Sequence, residues 1–210
     1  MLFLAYAVLW VVLAVRPVDR LVWASENALV VAAVLLLLLT SSRFRFSDLS
    51  YTFIFFFLIL HAVGAHFTYP EVPFDLDLWS STRNDYDRIV HFSFGLFLAL
   101  PAREVFRRIA DTKGFWSFYF PFELTLAFSA LFEMVEWGTV AVMAPDSGAS
   151  YLGAQGDAFD AVKDVAMAGL GAALTMTVAA VVSWRRRRRR FEDEFEESLR
   201  IKRPDPDEDD

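Results

Sequence analysis

Acidic and imidazole side chains recur near the same end of four separate apolar segments of the chain. The set comprises His66, Asp87, His91, Glu133, Glu136, Asp157, Asp160 and Asp164. Ionisable side chains inside a membrane span are costly, and they usually face the bundle interior, where they pair, bind ions or do chemistry. Their convergence therefore predicts a functional site.

Helical spacing places most of these residues in groups, because residues three, four or seven positions apart share a helix face. The groups are Asp87 with His91, Glu133 with Glu136, and Asp157 with Asp160 and Asp164. Each predicted helix thus offers two or three oxygen or imidazole ligands. Acids in a first helical turn also complement the helix dipole. That structural explanation covers Asp87 and Asp157 but not the deeper acids.

Several carboxylates with an imidazole and no thiolate suit a hard divalent cation such as Mg²⁺, Mn²⁺ or Ca²⁺, or Zn²⁺ if a second histidine takes part. The predicted ligands are His91, Glu133, Glu136, Asp157, Asp160 and Asp164. A cation there would polarise a phosphate or activate water against a lipid-linked phosphate. Alternatively, neighbouring carboxylates share a proton and act as an acid/base pair or a proton relay. A third interpretation is a structural network in which Arg83, Arg88 and Lys163 neutralise the acids.

The composition is that of an integral membrane protein, with 56% hydrophobic residues, 22 Phe and six Trp in 210 residues. The absence of cysteine excludes disulfides, thiolate nucleophiles and cysteine-ligated metals. The net charge of −7 hides an acidic tail, 191–210, beside a basic block, 186–190. A basic block flanking a membrane span is commonly an anchor, so nucleic-acid binding is not expected.

Six segments approach the roughly 20 residues that a helix needs to cross a bilayer. They are 1–15, 21–40, 51–67, 89–102, 115–143 and 161–184. The predicted fold is therefore all-α and polytopic, with six transmembrane helices in residues 1–184. Residues 185–210 are predicted to form a charged cytoplasmic tail that is partly disordered. The first and fourth segments need flanking residues, and the first lacks the features of a cleaved signal peptide.

Lys and Arg accumulate in short cytoplasmic loops, which gives the orientation. With the C-terminus inside, 15 of the 20 basic residues fall in inside segments, so both termini are predicted to be cytoplasmic. Connections 68–85 and 144–156 then face outward, as do all the ionisable residues of the cluster. Glu26 and Asn27 lie in the outer third of the second helix and are placed to join it.

Two further features have structural interpretations. His61 lies within an apolar run and is expected to be a hydrogen-bonded interior residue. A run of small residues predicts close helix packing, and its members are Ala168, Gly169, Gly171, Ala172 and Ala173.

Three motifs carry a resemblance to a known family. They read Asp87-Arg88-x-x-His91-Phe92, Glu133-x-x-Glu136-Trp137 and Gly153-x-Gln155-Gly156-Asp157-x-x-Asp160-x-x-x-Asp164. Their order and spacing resemble the DUF2238, or YjdF-like, family of bacterial and archaeal inner-membrane proteins, which implies a multi-pass protein of the inner or plasma membrane but no activity. A looser similarity is to the VanZ-like membrane proteins, which are associated with glycopeptide tolerance.

The sequence thus predicts an outward-facing polar cavity in contact with membrane lipids, and its catalytic residues and protein partners are not identified. The cavity residues are Asp87, Arg88, His91, Glu133, Glu136, Gln155, Asp157, Asp160 and Asp164. The first hypothesis is a site for a divalent cation or a polar lipid headgroup in envelope lipid metabolism, whether or not the protein is an enzyme. The alternatives are a small proton-coupled transporter, although the halves show no inverted repeat, and a structural protein locked by ion pairs.

Overall fold

The computed structural model describes residues 1–74, 83–143 and 155–201, which form α-helices without any strand. The helices are α1 Leu2–Leu13, α2 Arg20–Thr40, α3 Asp48–Phe67, α4 Tyr86–Ile109, α5 Trp116–Met143, α6 Asp160–Arg186 and α7 Arg188–Ser198. The predicted all-α, polytopic membrane fold is confirmed.

Five helices, α2 to α6, are long and apolar enough to cross a membrane. The fourth predicted segment, 89–102, gains its missing length at both ends, since α4 has 24 residues. Helix α1 has 12 residues, which is roughly 18 Å of helix against a hydrocarbon core of about 30 Å. The count of six spans and the cytoplasmic location of both termini stay predictions. We call the end of the bundle where α4 and α6 begin the outer end, and the opposite end the cytoplasmic end, as labels after the predicted orientation.

Helices α4 and α6 run parallel with their backbones in contact. A Cβ atom at Gly95 would overlap the backbone of Ala168, and one at Gly171 would overlap the carbonyl oxygen of Phe92. The Thr175 hydroxyl also donates to the Leu96 carbonyl across the contact, at 2.6 Å. Small residues allow this close approach in membranes, and it brings the first turns of the two helices together.

The predicted packing role of the small residues is confirmed for four of the five. Ala168, Gly171 and Ala172 are buried against α4, and Gly169 is buried beside Leu126 of α5. Ala173 is exposed instead, because it lies on the opposite face of α6.

The end of α3 turns the chain back over the bundle. Its C-cap Thr68 and the next residue, Tyr69, both adopt left-handed backbone conformations, with φ of 59° and 57°. The ring of Tyr69 then packs where a Cβ atom at Gly64 would lie. Because glycine leaves this space, Tyr69 reaches the interior beside α2 and α3.

Helix α1 is held against the outer end of α3. The backbone N–H of Val18 donates to the carbonyl of His66, and the His66 Nδ1 lies 2.7 Å from the carbonyl oxygen of Leu13. Trp10 of α1 also donates to the side-chain oxygen of Asn27 in α2. His66 and Asn27 therefore serve the packing of α1.

The chain after α6 forms a further helix at the cytoplasmic end. Phe191 and Phe195 of α7 pack against Phe118 and Phe115, at the start of α5. Ser198 accepts from the backbone N–H of Phe115 through its hydroxyl oxygen, at 2.9 Å. The beginning of the charged tail thus packs on the bundle, while the predicted boundary at residue 184 and the predicted partial disorder remain predictions.

Candidate functional site

Alternating basic and acidic side chains form what we call the rim layer at the outer end. Its members are Arg83, Asp85, Arg88, Asp157, Asp160 and Lys163. Arg88 donates to Asp85 at 3.0 Å and to Asp157 at 2.7 Å, and Arg83 donates to Asp160. Lys163 reaches Asp157 at 2.5 Å. Among the residues that the structure describes, three cations thus face three carboxylates, and their formal charges balance.

Local structure positions the rim layer. Arg88 stands one helical turn after Asp85, which suits an i,i+3 pair at the start of a helix. Gln155 fixes the approach of α6, because its side-chain amide accepts from the Asn84 backbone N–H at 3.0 Å and donates to the Asn84 carbonyl at 2.9 Å. This double hydrogen bond joins the residues that precede α4 and α6.

Asp157 is the most accessible acid of the rim layer. The Lys163 ammonium and the backbone N–H of Phe159 donate to its carboxylate and lower its pKa to about 2. Its side chain is 19% exposed, whereas that of Asp85 is fully buried. Asp157 therefore stays ionised at neutral pH, tied to basic side chains.

Beside the rim layer, from the level of Asp87 down to that of His91 and Asp164, lies a group with an excess of acids, which we call the deep layer. It consists of Asp87, His91, Glu133, Glu136 and Asp164. His91 Nε2 lies 3.0 Å from Glu133 Oε1 and 3.7 Å from Asp87 Oδ1. Its other ring nitrogen lies 3.1 Å from the Ser129 hydroxyl. Glu136 makes electrostatic interactions with the other three acids.

Three carboxylates at the junction of the two layers converge. Oxygens of Asp87, Asp160 and Asp164 all lie within 4.8 Å of one another. Metal–oxygen bonds of roughly 2.1 to 2.5 Å place opposite ligands about 4 to 5 Å apart, so this spacing suits one hard cation. Asp164 is 1% exposed, and its Oδ1 has no hydrogen-bond partner among the described residues. An unpartnered buried carboxylate oxygen is rare, and a bound ion is one of its explanations.

A hydrogen-bonded group from α2 and α3 lies on the other side of the deep layer. The Tyr69 hydroxyl lies 2.7 Å from His61 Nδ1 and 3.5 Å from Glu26 Oε2. The His61 Nε2 lies 3.3 Å from the Glu26 carbonyl oxygen, which makes Nε2 the protonated nitrogen and Nδ1 an acceptor. Burial raises the pKa of Tyr69 well above its ordinary value, so its hydroxyl keeps the proton that it donates.

Two comparisons place the chain among known proteins. A family model described as "Predicted membrane protein (DUF2238)" matches residues 1–185. The chain belongs to the DUF2238 family. The inner membrane protein YjdF of Escherichia coli (strain K12) is 39% identical over 176 residues, which is 81% of this chain and 83% of that protein. No solved structure matches.

Membership of the DUF2238 family confirms the predicted resemblance and, with the apolar helices, a multi-pass protein of the cell membrane. The matches do not show a link to the VanZ-like proteins. They also attach no activity, ligand or transport role to the chain.

The structure divides the predicted cavity residues between the two layers. Asp87, His91, Glu133, Glu136 and Asp164 lie in the deep layer. Arg88, Asp157 and Asp160 lie in the rim layer, and Gln155 joins the loops beside it. Of the predicted metal ligands, Asp160 and Asp164 share the close cluster, whereas Asp157 is bound to Arg88 and Lys163. A metal site in this cavity stays a prediction.

Sequence reasoning missed three contributors to the site. Asp85 was detectable, since it precedes Arg88 by three residues in a predicted first turn. Ser129 lies four residues before Glu133 and shares its helix face, which is a weak signal for a partner of His91. No feature of the sequence indicated that Tyr69 joins the site, because its position depends on the backbone turn after α3.

Proposed function

We propose that the outer end of this membrane protein binds a hard divalent cation, Mg²⁺, Mn²⁺ or Ca²⁺, at the oxygens of Asp87, Asp160 and Asp164. The observation that carries the proposal is the convergence of these oxygens within 4.8 Å, with Asp164 buried and one of its oxygens unpartnered among the described residues. Oxygen-only ligation favours these ions over Zn²⁺ or copper.

Charge balance supports a cation in this place. Within the described parts of the chain, the deep layer contains four carboxylic acids, and His91 is its single basic side chain. An uncompensated buried carboxylate costs several kcal/mol, so the layer requires bound protons or a cation. A divalent ion at the carboxylate cluster supplies two positive charges where the oxygens already converge.

The chemistry available to such a site is Lewis-acid and acid/base chemistry at the depth of lipid headgroups. A cation polarises a phosphoryl or carbonyl oxygen and lowers the pKa of bound water. His91, held between Glu133, Asp87 and Ser129, is placed to accept or return a proton beside it. The site thus suits recognition of a polar headgroup in envelope lipid metabolism.

The structural alternative has support in the rim layer. Its ion pairs join the start of α4 to the start of α6, and a balanced set of charges of this kind fixes helix packing. We therefore assign a locking role to the ion pairs of the rim layer and the cation to the carboxylates at the junction of the two layers. The third alternative, transport, is not proposed, because no specific observation on the described residues favours it over binding.

Manganese binding tests the proposal, because free Mn²⁺ has an electron paramagnetic resonance signal that is lost on binding. The full chain, purified in dodecyl maltoside, is expected to bind a single Mn²⁺ that Mg²⁺ or Ca²⁺ displaces. Asp164→Asn and Asp87→Asn each remove a charged ligand and are expected to weaken binding by about tenfold or more, which is 1.4 kcal/mol. Glu123→Gln, an exposed acid of α5, is the matched control and is expected to bind as wild type.

Gel filtration and circular dichroism of each variant separate lost binding from lost folding. The proposal is wrong if folded wild type binds no Mn²⁺, or if folded Asp164→Asn and Asp87→Asn both bind it with unchanged affinity.

A further inference from the structure

We propose that the ligand of this site is a phosphate monoester, held between the cation and the guanidinium groups of Arg83 and Arg88. This inference rests on the proposed cation site and names the class of molecule that the site takes. It follows from the placement of two buried arginines directly beside the carboxylate cluster.

The two guanidinium groups border the same carboxylates. Arg83 donates to Asp160 and lies 3.9 Å from Asp157, while Arg88 donates to Asp157 and lies 3.8 Å from Asp160. Their side chains are only 5% and 7% exposed. Buried arginines arranged in this way present planar forks of N–H donors, the geometry that matches phosphate oxygens.

Asp160 connects the arginine pair to the cation site, since its carboxylate belongs to both. A cation bound to Asp160 would stand up to roughly 5 Å from the nearest guanidinium nitrogen, which is the length of a metal–oxygen bond plus that of a charge-assisted hydrogen bond. A phosphate group spans that gap, with one oxygen on the cation and the others on the arginines. Carboxylates and amides have fewer acceptor oxygens for the same bridge.

The Nε–H group of Arg88 is available to donate a hydrogen bond to such a ligand. Its Nε is buried and has no hydrogen-bond partner among the described residues, while both of its terminal nitrogens are engaged by Asp85 and Asp157. A buried unpartnered guanidinium donor is costly. A phosphate oxygen would satisfy it.

Asp157 is the group that a phosphate would displace. It precedes α6, it is the most accessible acid of the rim layer, and Lys163 holds it independently of Arg88. When Asp157 leaves Arg88, Lys163, which is 49% exposed, still neutralises it. The phosphate takes over the two guanidinium groups, so every charge keeps a partner.

A purely structural role for the arginines makes the opposite prediction for one variant. If Arg83 and Arg88 only neutralise the aspartates, Asp157→Asn weakens the rim layer and creates no affinity for phosphate. If they form a phosphate site, Asp157→Asn removes the competing carboxylate and strengthens phosphate binding.

Equilibrium dialysis of radiolabelled inorganic phosphate against the full chain in dodecyl maltoside, with and without Mn²⁺, tests the inference. Wild type is expected to bind phosphate, and more tightly with Mn²⁺ present. Asp157→Asn is expected to bind it about tenfold more tightly, and Arg88→Lys about tenfold more weakly, because lysine lacks the planar fork. Arg108→Lys, at the other end of α4, is the matched control and is expected to bind as wild type.

The inference is overturned if neither wild type nor Asp157→Asn binds phosphate, or if folded Arg88→Lys binds it as wild type does. Manganese resonance on the same samples separates the two proposals. Mn²⁺ bound without phosphate overturns the phosphate site alone. Phosphate bound through Arg88 without any bound Mn²⁺ overturns the cation site and its bridge to the phosphate, and leaves the arginine pair alone as the phosphate site.

A second experiment, in lipid nanodiscs, identifies whether the phosphate belongs to a lipid or to a water-soluble molecule. The protein is placed in nanodiscs of phosphatidylcholine with or without phosphatidic acid, a lipid phosphomonoester. Reduced binding of inorganic phosphate beside phosphatidic acid identifies a lipid headgroup as the ligand. Equal binding in both nanodiscs identifies a water-soluble phosphate, and both outcomes support the phosphate site.

Discussion

The two ends of helix α4 place the same residue type in opposite environments. At the outer end, Arg88 is 7% exposed and donates to Asp85 and Asp157. At the cytoplasmic end, Arg108 is 48% exposed, donates to the Arg45 carbonyl and stacks on the Phe44 ring. One arginine is surrounded by acids inside the protein, and the other lies at its surface.

The acids show the same contrast. Glu104, near the cytoplasmic end of α4, is satisfied locally by the hydroxyls of Ser47 and Ser50 and by a backbone N–H at the start of α3. At the outer end, Asp164 retains an unpartnered buried oxygen among the described residues. Charge alone therefore does not distinguish a binding site from a helix terminus. Buried charge in excess of its local partners is the feature on which the proposed binding site rests.

The largest expected effect comes from truncating one arginine at each end. Arg88→Ala removes a buried ion-pair partner of Asp85 and Asp157, and removing one member of a buried ion pair costs roughly 3 to 5 kcal/mol. Arg108→Ala removes an exposed contact and is expected to cost below about 1 kcal/mol. Unfolding in mixed micelles with increasing dodecyl sulfate, followed by circular dichroism, measures both. Equal losses of unfolding free energy in the two variants would show that the burial of Arg88 does not make it more important for stability than Arg108.

A smaller effect is expected at the cytoplasmic acid. The Ser47 N–H and the hydroxyls of Ser47 and Ser50 all donate to the Glu104 carboxylate. In Glu104→Gln one acceptor oxygen is replaced by an NH₂ group, which cannot accept a hydrogen bond from these donors. Losing one charge-assisted hydrogen bond there is expected to cost about 1 to 2 kcal/mol without changing Mn²⁺ binding. The same unfolding assay measures the cost, with Glu123→Gln as the control. Weakened Mn²⁺ binding in folded Glu104→Gln would contradict the separation of the two ends.

Much of this arrangement could be predicted from the sequence, since long apolar segments set the helices and the spacing of acids set their faces. The division into two layers could not, because it depends on how deeply α4 and α6 interpenetrate at Gly95 and Gly171. The role of Tyr69 could not be predicted for a similar reason, since it is the backbone turn after α3 that brings the Tyr69 hydroxyl to His61.

The tail contains an apolar pattern that indicates a packed helix, but the surrounding charges hide it. Phe191 and Phe195 are four residues apart and so share a helix face, which indicates an apolar stripe. The surrounding charges favoured a solvated tail instead. In the structure the stripe packs on Phe115 and Phe118, which adds α7 to the cytoplasmic end.

The smallest expected effect concerns the balance of the rim layer. The pKa of Asp157 is lowered from 3.8 to about 2, chiefly by the Lys163 ammonium. A lowered folded-state pKa contributes stability above the ordinary value, and that contribution is lost as the pH falls from about 4 to about 2. Lys163→Met is expected to raise the pKa of Asp157 toward 3.8, so that its ionisation is lost at higher pH.

Titration of aspartate carboxyl carbons by ¹³C nuclear magnetic resonance measures this shift, with Lys113→Met at the cytoplasmic end as the control. An unchanged Asp157 curve in Lys163→Met would mean that Lys163 does not hold the carboxylate, which then depends on Arg88 and the Phe159 N–H. Asp157 could not then leave Arg88 without losing its compensation. A raised pKa would instead show that Lys163 holds Asp157 in its own right, which is the condition for the rim layer to open toward a phosphate.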